Sequence, residues 1–495
     1  MFSKTPKVNE RESATSSSSH AAVDRNGASP PAQRESHDRL PPLDRTLSRL
    51  TTASTVEYRV YKRRWLGLVQ LALLNIVISW DWITFAAVSS SAATYFSTSE
   101  TNINWASTAF LFAFVVATPF TSWTLHRHGP KLSIMAAAVL TLVGNGIKYG
   151  GTASHQLGVM MLGQMVIGVA QPFALSSATS YSNLWFTPSG QQPHHISRLV
   201  GFVAIISASV SAFSLFVPGQ PPTPPSAASA STSHITGPYP NEDSNGNPLN
   251  SKSSLLKDLH TLTHSLEFYL IFLPFTVYVG FFNAFSSLIN QILEPYSFSE
   301  DNAGIAGAIL IVVGLLTAAV SSPIIDRTHA YLTMIRICVP LIAIAYVVLI
   351  FAPPTKSLAF VFVVCAALGA ASFGLVPVAL EFLVEMHYPL GPELGSSLCW
   401  CGGQLLGGIF IVIMDKLKGG IGGPEDNMQR ALIFQAVIAV AVAPLPVCLG
   451  LFGRGDKVRR RRWEVDREGA GSGEVRVEDG EEDQERLRGS GSLRI

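Results

Sequence analysis

The chain has 495 residues, of which 48% are hydrophobic and 14% are charged, and its formal net charge is +1. This net charge is an average over regions of unlike composition, so it says little about binding partners. We expect no nucleic-acid partner. The five cysteines lie in or beside apolar runs, so we expect packing residues rather than a disulfide framework or a metal site.

The two ends of the chain differ from its middle. Residues 1–58 are rich in Ser, Pro and charge, and residues 454–495 form a basic and then acidic tail. Neither stretch can bury a core, so both are predicted to be disordered. The first 40 residues contain no apolar segment, so we expect no cleavable signal peptide and expect the first span to direct insertion.

Between Trp65 and Phe452, apolar runs of about 20 residues follow one another, the length that crosses a bilayer core of about 30 Å as a helix. The sequence therefore predicts an all-α, polytopic membrane protein. About eleven spans are readable: Trp65–Val88, Ile103–Leu125, Lys131–Gly150, Leu157–Ser180, Leu199–Pro218, Leu266–Leu293, Ala303–Pro323, Leu332–Phe351, Leu358–Val378, Gly395–Met414 and Ala431–Phe452.

The spans fall into two sets. We predict an N-terminal helix bundle at 59–218 and a C-terminal bundle at 266–453. Residues 219–265 are rich in Pro, Ser, Asn and Gly and contain no apolar span, so they are predicted to be a linker loop. Loops rich in Lys and Arg alternate with loops that lack them, which places the linker and both termini in the cytosol.

Two cytosolic termini require an even number of spans, which conflicts with a count of eleven. The discrepancy lies at Phe186–Arg198, where one short polar stretch replaces a span and its loop. Either the chain lacks a segment there, or the fourth span is followed by a re-entrant piece. We favour the missing segment.

Several motifs point to a known family. The stretch from Ser122 to Lys131 resembles the major facilitator superfamily's loop signature, Asp-Arg-x-Gly-x-Arg/Lys, with His126 in place of the acid. Further motifs of this chain resemble motifs of the feline leukaemia virus subgroup C receptor-related branch of that superfamily. They follow one another along this chain in the same order as in that branch. They are Arg64-Trp65-Leu66 with Trp82-Ile83, Met161-Leu-Gly-Gln164 with Ala170-Gln-Pro-Phe173, Pro221-Pro-Thr-Pro-Pro-Ser226, Asn302-Ala-Gly-Ile-Ala-Gly307, Asp326-Arg327, and Glu381-Phe-Leu-Val-Glu385 with Gly403-Gln404.

The resemblance implies a major facilitator fold with twelve expected spans, and it implies that the span missing from this chain is the fifth. It also implies a secondary transporter with a substrate site between the two bundles, working by alternating access. The implied substrate is a small organic cation such as choline or ethanolamine. Haem transport is the alternative within the family, and a non-transporting membrane sensor or receptor on the same scaffold is a further one.

Five residues are predicted to bind substrate. Trp82 stands where the family has an aromatic residue against a quaternary ammonium, and an aromatic face attracts a cation by about 0.5–2 kcal/mol. Asp81 next to it is an ionisable group within a span, which indicates a cation site or a proton-coupled step. Gln171 matches a pocket Gln of the family. Asn283 replaces a family Tyr, and Phe282 could supply the lost aromatic wall.

These residues also have plainer interpretations. Trp82 could belong to an interfacial aromatic belt, and Asp81 could be solvated near the non-cytosolic surface. For gating or coupling we single out Arg127, Asp326, Arg327, Glu381 and Glu385. Glu381 and Glu385 lie one turn apart on one helical face.

Other classes of function find no support in the sequence. It contains no Gly-x-x-x-x-Gly-Lys-Ser/Thr loop, so ATP does not drive the protein. No catalytic set is recognisable, and we expect neither an enzyme nor a cofactor. The expected partners are a small-molecule substrate and the lipid bilayer, the expected state is a monomer, and the expected location is the plasma or the vacuolar membrane.

Overall fold

The computed structural model describes residues 64–185, 251–388, 390, 392–419, 424–450 and Glu464. Both predicted tails, apart from Glu464, lie outside the described residues. So do the predicted span Leu199–Pro218, the polar stretch Phe186–Arg198 and residues 219–250 of the predicted linker.

The described part of the chain folds entirely into helices and their connections, without strands. The helices, labelled in chain order, are α1 (Arg64–Ile83), α2 (Ser89–Tyr95), α3 (Glu100–Ala153), α4 (Leu157–Trp185), α5 (Ser251–Thr263), α6 (Leu266–Leu293), α7 (Glu300–Thr328), α8 (Tyr331–Leu349), α9 (Leu358–His387), α10 (Pro392–Lys416) and α11 (Gln429–Val442). Short 3₁₀ turns follow α6, α8 and α11 at Glu294–Tyr296, Pro353–Thr355 and Leu445–Cys448.

Helix α3 contains two spans rather than one. Its 54 residues would measure about 80 Å at 1.5 Å per residue, more than twice a bilayer core. The backbone breaks at Gly129, where φ is 73° and ψ is −177°, a conformation that glycine adopts without a steric penalty. Pro130 follows and begins the next span. The break falls at the predicted boundary between the second and third spans.

The prediction of a polytopic all-α membrane protein is confirmed. Nine helices among the described residues are long and apolar enough to cross a membrane, and one of them is the double-span α3. Large apolar side chains such as Val116, Phe120 and Val363 lie exposed on the outside of the bundle, where a lipid environment suits them. Helix α9 runs nine residues past the predicted end of its span, so Glu381 and Glu385 belong to a continuous helix.

The described helices form an N-terminal half (α1–α4) and a C-terminal half (α6–α11). Helix α3 packs along α4, α7 along α9, and α6 along α10; α10 also packs against α3 and α4 and so joins the halves. Small residues permit the close approach of α6 and α10. A Cβ at Gly403, for example, would lie 2.6 Å from Val279 Cγ1.

The predicted linker is not a loop throughout. Residues 251–263 form helix α5, which ends just before Ser265 caps α6 by accepting a bond from the Phe268 amide. The hydropathy of this segment is too low for a span, which is why the sequence favoured a loop there. Helical structure in this segment does not depend on an apolar run.

Candidate functional site

A cavity of about 220 Å³ lies between the two halves. Its N-terminal wall comes from α1 and α4, and its C-terminal wall from α6, α8, α9 and α10. The lining residues are Ser79, Trp82, Gln171, Leu175, Phe275, Tyr278, Val279, Phe282, Asn283, Ile342, Ser372, Phe373, Leu375, Val376, Trp400 and Gln404. Among these lining residues six are aromatic, five carry an amide or an aliphatic hydroxyl, and none is charged.

The N-terminal wall presents Trp82 and Gln171. Trp82 lies in the last turn of α1, is buried, and has its ring centroid 6.5 Å from that of Phe110 at an interplanar angle of 28°. Gln171 lies beside Pro172 in the middle of α4 and is also buried. Trp82 Nε1 and Gln171 Oε1 have no hydrogen-bond partner among the described residues. One donor and one acceptor therefore remain for a ligand.

The C-terminal wall is built from aromatic pairs and one amide pair. Phe282 meets Phe373 edge to face with 5.5 Å between centroids, and Trp400 meets Phe275 in the same way at 5.6 Å. Asn283 Nδ2 donates to Gln404 Oε1 at 2.8 Å. This bond ties α6 to α10 and fixes the orientation of both amides at the cavity wall.

Four of the five predicted substrate-binding residues therefore line one cavity: Trp82, Gln171, Phe282 and Asn283. Asp81 does not belong to the lining. Its carboxylate accepts a bond from Asn145 Nδ2 at 2.6 Å and lies 3.5 Å from Lys148 Nζ, inside the N-terminal half. The binding roles themselves stay predictions.

The predicted gating residues lie away from the cavity lining. Arg127 is exposed, with its guanidinium 5.9 Å from the centre of the Trp123 ring, and Arg327 is also exposed. Glu381 is half-buried and Glu385 is buried at 2% exposure. The side chain of Asp326 lies outside the described part of the structure. The gating roles of all five residues stay predictions.

Polar contacts join the halves at both ends of the bundle. We call the end that contains segments 84–99, 294–299, 350–357 and 417–419 the Glu100 end, and the end that contains residues 126–131 and 264–265 the His126 end. At the Glu100 end, Glu100 bonds Lys418 at 3.0 Å. At the His126 end, His126 Nδ1 lies 3.8 Å from Glu393 Oε1. The residue that replaces the signature acid therefore contacts the opposite half.

Sequence reasoning missed several residues that shape this region. Trp400, Tyr278 and Phe275 supply aromatic walls, but each sits in an apolar run where hydropathy cannot tell a cavity face from a packed one. Lys148 had a clear signal, since it is an ionisable residue in the apolar run Lys131–Gly150, and such residues are functional candidates by default.

A small cavity between two membrane-embedded helical halves, with polar contacts joining the described helices of the halves at each end of the bundle, is the arrangement of a multi-pass membrane transporter. The family model of the Major Facilitator Superfamily matches residues 71–391, and the chain belongs to this superfamily of transporters.

Two relatives indicate which members of this superfamily the chain resembles. Solute carrier family 49 member A3 of Danio rerio is 26% identical over 455 residues, which cover 83% of this chain and 92% of the relative. The choline/ethanolamine transporter FLVCR1 of Mus musculus is 25% identical over 431 residues, which cover 77% and 75%. The chain thus resembles the receptor-related branch that its motifs indicated.

Solved structures show the same fold. The nucleoside transporter NupG superposes with a TM-score of 0.53 at 13% identity, covering 78% of this chain and all of that one. The transporter FucP in its outward conformation superposes with a TM-score of 0.51 at 13% identity, covering 76% and 97%.

Proposed function

We propose that this protein is a secondary transporter that carries a small organic cation, choline or ethanolamine, by alternating access of the central cavity. The observation that carries the proposal is the cavity's lining, which is rich in aromatic rings and has no charged residue among those that the structure describes. Aromatic faces attract an ammonium group without needing a carboxylate, and the attraction is strongest where water is excluded. Relatives named choline/ethanolamine transporters support the same substrate class.

The proposed pose uses both walls. The ammonium lies against the Trp82 ring from the N-terminal half and the Phe282 and Trp400 rings from the C-terminal half. Gln171 Oε1, Trp82 Nε1 and Ser372 Oγ, which lack hydrogen-bond partners among the described residues, are available to the hydroxyl shared by choline and ethanolamine. Trp400 then takes over the role that an aromatic residue at position 283 plays in the family.

Haem, the alternative substrate, fits less well. Drug-sized ligands occupy pockets of about 300–1,000 Å³, and this cavity measures about 220 Å³. Within the described lining none of the residues is a His, and the one Tyr, Tyr278, donates its hydroxyl to the Ala439 carbonyl at 2.9 Å. A sensor without transport remains the second alternative, and flux separates it from a transporter.

The test is uptake of radiolabelled choline by proteoliposomes that contain the purified full chain. Trp82→Ala should raise KM about 3–30-fold, the equivalent of one lost cation–π contact, and Trp82→Phe should keep part of the affinity. Trp80→Ala is the matched control, because Trp80 is 71% exposed and lies outside the cavity lining.

A neutral competitor makes the test sharper. 3,3-Dimethylbutan-1-ol has the shape of choline without its charge, so it should compete far less well than ethanolamine. Equal competition would contradict recognition of a cation. Choline binding without flux would instead support the sensor, and uptake of haem blocked by Trp82→Ala would support the alternative substrate.

A further inference from the structure

Lys148 carries a buried ammonium inside the N-terminal half. It lies in the third span, is 7% exposed, and is not part of the cavity lining. Its Nζ donates to the Asp81 carbonyl and to Thr84 Oγ1, each at 3.0 Å, and lies 3.5 Å from Asp81 Oδ1. The Phe85 ring centre is 5.4 Å away. Burying a charged lysine within a membrane span costs free energy. The bonds that hold Lys148 there therefore call for an explanation.

The bonds converge on the carboxyl end of α1. The last carbonyls of a helix have no partner within the helix, and the negative end of the helix dipole favours a nearby cation. Here Lys148 binds the carbonyl of Asp81. Gln164 Nε2 binds the same carbonyl at 2.9 Å and the Trp82 carbonyl at 3.3 Å. Two helices of the half therefore cap the turn that carries Trp82.

Asp81 completes the cap. Neighbouring positions on a helix differ by about 100°, so Asp81 faces the third span while Trp82 faces the cavity. Asn145 Nδ2 binds Asp81 Oδ2 at 2.6 Å, one turn before Lys148 on the same face. The carboxylate thus holds the ammonium over the helix end and balances its charge.

We propose that Lys148 is a positioning residue for substrate recognition, because it caps α1 through Asp81 and thereby holds the Trp82 ring in the cavity wall. The cap exists whatever the substrate is, and only its effect on affinity rests on the proposed function. Neither residue of the pair lines the cavity, which leaves the aromatic rings to meet the substrate's charge.

Few titratable groups face this pair from the described elements that pack around it. Helix α4 carries one titratable side chain among its described residues, Tyr181, which lies at the opposite end of the bundle and bonds the Arg64 carbonyl. On the third span Tyr149 is 77% exposed and points outward. Among the described residues, Asp81 is thus the carboxylate that pairs with Lys148, at 3.5 Å.

The proposal predicts weaker substrate binding when the ammonium is removed. In Lys148→Met, the Asp81 carbonyl loses the Lys148 donor and the Asp81 carboxylate loses its cationic neighbour at 3.5 Å, so the turn that carries Trp82 is held less firmly. We expect choline KM to rise about 3–30-fold, as for a lost aromatic contact, while kcat changes little. Lys148→Arg should restore much of the affinity.

Two variants separate positioning from general damage. Asp81→Asn with Lys148→Met removes both charges, so KM should stay raised, because the cap is still missing; a KM that returned to the unaltered value would assign the effect to the unpaired Asp81 charge instead. Lys131→Met is the control, since Lys131 is exposed at the His126 end. A well-folded Lys148→Met protein with unchanged KM would overturn the proposal.

A readout without substrate keeps this test apart from that of the proposed function. In a W82C background, we expect Lys148→Met to speed labelling of the introduced thiol by a polar thiol reagent, relative to W82C alone and to W82C with Lys131→Met. Faster labelling supports the cap even if choline is not transported. An unchanged rate overturns it even if choline is transported.

Discussion

The two ends of the helix bundle join the same halves with different chemistry. At the Glu100 end the contacts involve charged groups: Lys418 bonds Glu100 at 3.0 Å, and Glu300 binds Ser90 and Ser91. At the His126 end hydroxyl pairs predominate: Ser176 with Ser397 at 2.8 Å, and Thr179 with Ser396 at 3.1 Å.

This difference bears on how the cavity opens. Hydrogen bonds to ionised groups are about twice as strong as bonds between neutral groups. Among the described residues of the His126 end, the contact between His126 and Glu393 is an ion pair only when the imidazole is protonated. We infer that the Glu100 end is the tighter closure. The proposed alternating access then requires a substrate-bound state that offsets the bonds of the Glu100 end.

The largest effect is expected from Gln291→Leu at the Glu100 end. Gln291 is 1% exposed and exchanges two hydrogen bonds with Asn104 across the halves, at 2.8 and 3.2 Å. Loss of the Gln291 amide leaves the side-chain oxygen Oδ1 of Asn104 buried without this donor, at a cost of about 1–3 kcal/mol. We expect a thiol introduced into the cavity by S79C to be labelled about tenfold faster.

Gln435→Leu is the matched control for this prediction. Gln435 is equally buried, but its Nε2 donates to the Phe281 carbonyl within the C-terminal half, at 3.2 Å. That substitution should lower stability without speeding the labelling. The same acceleration in both variants would mean that loss of any buried amide opens the cavity, and the proposed closure would be wrong.

A smaller effect is expected from Glu300→Gln. Glu300 accepts three bonds from α2, from Ser90 Oγ at 2.5 Å, Ser91 N at 2.9 Å and Ser91 Oγ at 2.5 Å. Glutamine keeps one of the two acceptor oxygens, so only part of this contact is lost. We expect the labelling rate to rise about threefold, because a bond to a charged group contributes more than its neutral equivalent.

The neighbouring acid provides the control for Glu300. Asp301 is exposed beside it in the first turn of α7, and Asp301→Asn should leave the labelling rate unchanged. An equal response of the two variants would indicate a general effect of charge at this surface. The contact with α2 would then not contribute to closure.

Much of this architecture was predictable because it depends on the length of apolar runs. The break at Gly129 follows from a glycine, a proline and charged residues between two runs. Hydropathy alone misses the extension of α9 to His387, because the helix continues past its apolar part, and it misses α5, which has no apolar run.

The cavity was predictable only in part. Trp82 and Gln171 were found through the resemblance, whereas Trp400 lies across the cavity on a helix whose rotation the sequence does not state. Asp81 shows a different limit. Helical periodicity separates it from Trp82 by about 100°, but its partners Asn145 and Lys148 lie 64 and 67 positions away, and only tertiary packing brings them to it.

The smallest effect is expected at the His126 end, from the pH dependence of stability at Asp258 in α5. Burial raises the pKa of this carboxyl above its usual value of 3.8, the charges of His126 and Lys257 oppose the rise, and that of Glu393 adds to it. A raised pKa means that the folded chain binds this proton more tightly than the unfolded chain. Stability from this group is therefore greatest below pH 3.8 and falls as pH rises through the raised value, after which it stays level.

Asp258→Asn should flatten this part of a plot of Tm against pH for the detergent-solubilised chain. Because Asp258 is partly exposed, water screens the effect. A wild-type Tm that rises relative to that of Asp258→Asn over this range would contradict the sign, and with it the placement of α5 against His126 and Glu393.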